Sequence, residues 1–147
     1  MKKTIENIFT GAVPLVGRVL LGILFLLSGI NKIGGWEQTA GFMGSVGMPL
    51  VPLFLAGAIA VEVLGGLSLI LGVQARAGAS ALFLFMIPTT LLFHAFWNMS
   101  GPEAHMQQLM FMKNLSIMGG LAMTAAWGSG RYSLDRLPCP FKAARQS

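Results

Sequence analysis

Residues Gly57 to Gly72 read GAIAVEVLGGLSLILG, an apolar run with one carboxylate, Glu62, near its middle and a Gly65-Gly66 pair about a turn later. A lone ionised carboxylate in hydrocarbon is costly, and nothing else in this stretch neutralises it, so other helices must bring a partner or a wet cavity. That demand organises the reading of the whole chain.

Composition says what solvent the chain meets. Of 147 residues, 54% are hydrophobic and 10% charged, and the mean hydropathy is +0.71. Soluble domains carry about a quarter charged residues, so the expected class is an integral membrane protein of one domain. The net charge of +5 sits on basic residues near the chain ends, which is a topology signal and not a nucleic-acid footprint. The single cysteine, Cys139, stands between two prolines. With no second thiol there is no internal disulfide, no C-x-x-C pair and no cysteine metal site, which excludes dithiol–quinone chemistry.

Working outward, four apolar stretches are long enough to cross about 30 Å of hydrocarbon. The expected spans are about 11–31, 50–72, 77–98 and 107–127, giving a transmembrane domain over 11–129 between a short lead (1–10) and a basic tail (130–147). The first span follows Met1-Lys2-Lys3 but carries Arg18 and ends in SGINK without a signal-peptidase site, so it is read as a retained helix. Residues 34–49 read as an interfacial loop or short surface helix, and Pro88 should free a backbone carbonyl in the third span. Lys2, Lys3, Arg76, Arg131, Arg136, Lys142 and Arg145 fall on one side, while 34–49 and 98–106 contain no Lys or Arg. The positive-inside rule then places both termini in the cytoplasm of a bacterial inner-membrane protein, an all-α, up-down-up-down four-helix bundle.

The intramembrane polar residues fall on helical faces. Arg18, Gly22, Phe25, Gly29 and Lys32 share one face of the first helix; Ala58, Glu62, Gly65 or Gly66 and Leu69 share one on the second. Phe83, Ile87, Thr90, His94 and Trp97 align on the third, and Lys113, Ser116 and Gly120 on the fourth, with Asn114 alongside. Counted from the expected outer ends, Glu62 lies about 17 Å down, Arg18 about 20 Å, Lys113 about 9 Å and His94 about 6 Å. This depth count predicts a buried Glu62–Arg18 ion pair near the midplane. Above it, the same count predicts an outer-half ligand pocket lined by Lys113, Asn114, His94, Asn31, Lys32 and Trp97. Plainer readings stand beside these. The ion pair can serve only to fix helix register, Lys32 and Lys113 can snorkel to headgroups, and His94 can belong to an interfacial aromatic belt. His105, beside Glu103 in a loop, reads as solvated, and the ten methionines as packing.

The segments RVLLGILFLLSGINKI, VEVLGGLSLILG, FHAFW and FMKNLSIMGGLAM, in that order over roughly residues 15–127, resemble the DoxX family of small bacterial membrane proteins. The family's polar positions fall here on Arg18, Ser28, Lys32, Glu62, Gly65, Gly66, His94, Lys113 and Asn114. The resemblance implies a four-helix membrane protein. Some members form the membrane part of a thiosulfate:quinone oxidoreductase, others are linked to oxidative-stress complexes, and distant relatives include membrane chaperones and cargo receptors.

The leading expectation is therefore a membrane subunit binding a quinone or similar isoprenoid head, with Lys113, His94 and Asn114 holding carbonyl oxygens and His94 or Glu62 passing protons. No metal site, paired heme histidines or dinucleotide fingerprint is encoded, so no catalytic residue is assigned, and turnover would require a partner protein subunit. The alternatives are a non-catalytic scaffold or chaperone docking through Gly and Ala faces, and small-anion transport by a homo-oligomer through a cationic outer vestibule.

Overall fold

The computed structural model describes residues 8–136. The first residues of the expected lead, and the part of the expected tail that holds Cys139, lie outside the described residues. Every described element is helical. After a π-helical turn at Ile8–Ala12, helix α1 spans Val13–Gly34, a short α2 spans Trp36–Ser45, and α3 spans Val51–Leu71. Helix α4 spans Ala75–Phe93 and α5 spans Gly101–Trp127, with 3₁₀ turns at Phe96–Asn98 and Leu134–Arg136. Four of these helices are long and apolar enough to cross a membrane. They run alternately up and down, so the start of α1 and the end of α5 share one end of the bundle, here the terminal end. The α1–α3 and α4–α5 connections share the other, the loop end.

Local sequence sets the ends of two spans. The fourth span, expected from about 107, begins at Gly101. Gly101 takes a positive φ of 74°, and Pro102 fits the first turn, where its missing N–H costs nothing; SGPEAH is thus a helix start. The third candidate span runs from Ala75 to Asn98, with helix α4 itself ending at Phe93. The His94 N–H still caps Thr90 O at 3.2 Å, and the chain then tightens into the 3₁₀ turn. The 34–49 stretch does hold a short helix, α2.

Packing is closest between α1 and α3. A Cβ on Gly22 would lie 2.7 Å from Gly66 O, and one on Gly66 would lie 2.8 Å from Gly22 O and 2.9 Å from Leu26 N. The two backbones therefore touch directly, the arrangement that small residues permit between membrane helices. Two turns further along α1, Gly29 faces Val63 and Glu62. These contacts fix the axial register of the antiparallel pair. Toward the terminal end, Ala75, Ala79, Leu82 and Met86 line the inner face of α4 and pack with Phe25, Leu69 and Leu121 into one apolar core. The outer surface keeps large apolar side chains such as Leu20, Leu27 and Ile30 on α1 and Leu53, Leu64 and Leu71 on α3. Exposed aliphatic stripes of this extent suit contact with acyl chains and not with water.

Candidate functional site

The register set by the glycines decides who meets Glu62. Ser28 and Lys32 stand one turn apart on α1, and the close approach at Gly29 brings both to the carboxylate. Lys32 Nζ lies 2.9 Å from Glu62 Oε2 and donates to Oε1 at 2.9 Å; it also donates to Ser28 Oγ at 2.7 Å. Ser28 Oγ donates to the same Oε1 at 3.2 Å, closing a triangle. Glu62 is 4% exposed, whereas the Lys32 side chain is 26% exposed. Its ammonium is held by the acid and by Ser28, and its side chain also borders the open space beside them. Oε2 accepts no aligned hydrogen bond and keeps only the ammonium's charge beside it.

The expected Glu62–Arg18 pair is not formed. Arg18 sits eleven residues below Gly29, about 16 Å along the helix, beyond the reach of one side chain. It is 3% exposed and occupies a different socket at the terminal end. There it donates to Ile70 O at 2.9 Å, to Leu69 O, and to Tyr132 O in the segment after α5. The Leu69 and Ile70 carbonyls end α3 without helical partners, so a cation there satisfies them and complements the helix dipole. The same segment returns to the α3–α4 turn, where Asp135 Oδ2 accepts from Gln74 N at 2.7 Å.

Above the triad, on the loop-end side, lies a cavity of about 670 Å³. Phe42, Phe54, Phe85 and Phe93 form aromatic walls, Met43 and Met48 of the α2 region roof it, and Pro88 lies on the α4 wall. Lys32, Thr39, Thr89 and His94 supply its polar side chains. The roof is pinned by Phe42 against Phe93, ring centroids 5.5 Å apart. Leu53, Phe54 and Leu92 line the cavity yet remain exposed, so it opens sideways among lipid-facing residues.

Of the six pocket residues expected from the sequence, the cavity takes Lys32 and His94. The other four are elsewhere. Lys113 is exposed on α5, with its ammonium 3.2 Å from Met110 Sδ. Asn114 is buried and donates to Thr90 Oγ1 at 3.2 Å, tying α5 to α4. Asn31 is exposed, and Trp97 packs edge-on against Phe96 and Phe111 away from the cavity. On α4 the expected face holds at Thr90, which is buried, but Leu82 and Met86 are buried beside it and Ile87 is exposed; on α5 the expected Asn114 is buried while Lys113 is exposed. Arg18, Lys32 and Lys113 are therefore not gathered in a common cationic vestibule. Gln107, which sequence reading did not single out, accepts from His94 across 2.8 Å between its Oε1 and the ring Nδ1. The four wall phenylalanines come from three helices, Phe42 from α2, Phe54 from α3 and Phe85 with Phe93 from α4, so no single stretch of the chain marks them. Among the described residues no group of three His, Cys, Asp or Glu could hold a metal.

A four-helix bundle with lipid-facing aliphatic stripes, a buried acid–base triad and a side-opening apolar cavity defines a polytopic membrane protein. A family model described as DoxX matches residues 13–95, and the chain belongs to the DoxX family. It is 39% identical over 125 residues to "Inner membrane protein YqjF" of Escherichia coli (strain K12), covering 84% of this chain and 89% of that protein. It is 30% identical over 122 residues to "Inner membrane protein YphA" of the same organism, covering 83% and 87%. A 59-residue stretch is 37% identical to "Putative oxidoreductase CatD" of Bacillus subtilis (strain 168), covering 40% of this chain and 42% of that one. No solved structure matches. The protein is a multi-pass protein of the inner membrane.

Proposed function

We propose that the chain is a ligand-binding membrane subunit whose cavity takes the head of a quinone or a similar ring-headed amphiphile from the bilayer. The observation that carries this reading is the cavity itself. At about 670 Å³ it falls within the usual range for small-molecule sites, and its apolar, aromatic lining with a few converging polar groups is the usual composition of one. The side opening suits a molecule whose tail stays among lipids. Lys32 donates to a ring oxygen while Glu62 and Ser28 hold its ammonium in place, and the wall phenylalanines pack against the ring. The partial likeness to a protein whose name includes the word oxidoreductase is consistent with a redox-active ligand. Electron transfer would come from a partner subunit. Arg76 at the start of α4 and the basic residues of the segment after α5 lie at the terminal end, and we assign that end to the cytoplasm.

The test is to purify the protein in mild detergent, extract what travels with it and identify it by mass spectrometry. Gly57 lines the cavity, and a Cβ there meets nothing within 4 Å, so Gly57→Phe fills the space without a backbone clash. A quinone-like amphiphile retained by the wild type and lost from Gly57→Phe supports the reading. Equal retention by both, or no retained amphiphile, favours a scaffold.

A further inference from the structure

His94 is held on three sides. Its backbone N–H bonds to Thr90 O, its carbonyl accepts from Phe96 N at 2.9 Å, and its ring Nδ1 meets Gln107 Oε1 at 2.8 Å. An amide oxygen only accepts, so Nδ1 donates in this contact, and the tautomer with its proton on Nδ1 leaves the lone pair on Nε2. Gln107 stands on α5 and is not part of the cavity lining, whereas His94 is. With Nδ1 turned to α5, Nε2 is the ring nitrogen left for an occupant, and no described residue pairs with it. The cavity thus offers two unlike polar contacts, a charged donor at Lys32 and an acceptor at His94.

We infer that Gln107 is a positioning residue that fixes the His94 tautomer and so makes the cavity select a hydroxyl-bearing ring, a hydroquinone or other phenol, over the matching quinone. The inference rests on the reading of the cavity as an amphiphile site. A hydroquinone satisfies both contacts: one oxygen accepts from Lys32 Nζ, and a hydroxyl donates to His94 Nε2. A quinone has acceptors only, so it can meet Lys32 but would set a carbonyl lone pair against the lone pair of Nε2. Sites built to hydrogen-bond a hydroxyl discriminate strongly against ligands lacking it, because the protein's own polar group is left unpaired.

The experiment compares binding of a decyl-substituted hydroquinone and its benzoquinone to the full-length protein in detergent, under anaerobic conditions. The hydroquinone should bind about tenfold more tightly, the scale of one hydrogen bond. Gln107→Glu keeps an acceptor and should keep the ratio; Gln107→Leu should bring it to about one, through weaker hydroquinone binding. Nitrogen-15 spectra of histidine-labelled protein should show His94 protonated at Nδ1, a readout independent of any variant's folding. Equal wild-type affinities, a ratio unchanged in Gln107→Leu, or an Nε2-protonated His94 would overturn the inference. If both rings bind equally and Gly57→Phe abolishes both, the cavity reading stands while the selectivity falls. If neither ring binds the wild type, the cavity reading falls with it.

Discussion

The partnership of Glu62 can be measured by two double-mutant cycles run side by side. Replacing Lys32 with Met strands an acid that is 4% exposed, and breaking a buried pair from one side costs about 3–5 kcal/mol. Because the Lys32 side chain is 26% exposed, the low end applies, about 3 kcal/mol. Replacing both partners by Met removes charge and counter-charge together and should cost far less, since buried pairs are often near neutral against apolar isosteres. The Lys32–Glu62 coupling should therefore be about 2 kcal/mol. The parallel Arg18–Glu62 cycle spans about 16 Å of helix rise, so its two substitutions should add within about 0.5 kcal/mol. Unfolding in mixed micelles with a rising fraction of dodecyl sulfate, followed by tryptophan fluorescence, supplies each free energy. Additivity in the Lys32 cycle, or coupling in the Arg18 cycle, would refute the register on which the site is built.

Further outcomes follow from the same contacts. Gly66→Ala sets a methyl group 2.8 Å from Gly22 O and 2.9 Å from Leu26 N, both backbone atoms, and should cost about 1–3 kcal/mol in the same titration. Gly17→Ala, where a Cβ meets nothing within 4 Å, should be neutral or stabilising by up to about 1 kcal/mol. Arg18→Lys cannot reach the Leu69, Ile70 and Tyr132 carbonyls together, so limited proteolysis should cut the segment after α5 sooner than in the wild type; equal cutting rates would contradict the socket. A reporter fused after residue 147 should be active only in its cytoplasmic form, and a periplasmic signal would reverse the assigned orientation.

The spans were legible because hydrocarbon solvation acts on each helix alone: some twenty apolar residues in a row mark a crossing whatever the neighbours do. The inward faces of α1 and α3 were legible too, since Arg18, Gly22 and Gly29, and Glu62 with Gly65 and Gly66, are residues that lipid would reject or that backbone contact requires. Axial register was not. Depth counted from helix ends assumes that all the ends are level, whereas Gly22 against Gly66 sets the actual offset and carries Lys32, not Arg18, to the acid. Lys113 departs from its expected place for another reason. Both Lys113 and its neighbour Asn114 are expected inward, yet a lysine's long stem tolerates a lipid-facing position, and only the short amide of Asn114, which cannot snorkel, is buried. Nothing along the chain announces a cavity made by four phenylalanines from three helices, nor the pairing of Gln107 with His94.

The account stands or falls on where a ring-headed amphiphile sits. A photoreactive decyl-benzoquinone, cross-linked to the purified protein and mapped by peptide mass spectrometry, reports that position directly. Labels on the segments holding Phe42, Phe54, Phe85 and Phe93, lost in Gly57→Phe and retained in Lys113→Ala, are the predicted result. Labels concentrated around Lys113 on α5, or spread evenly over the lipid-facing stripes, would contradict it.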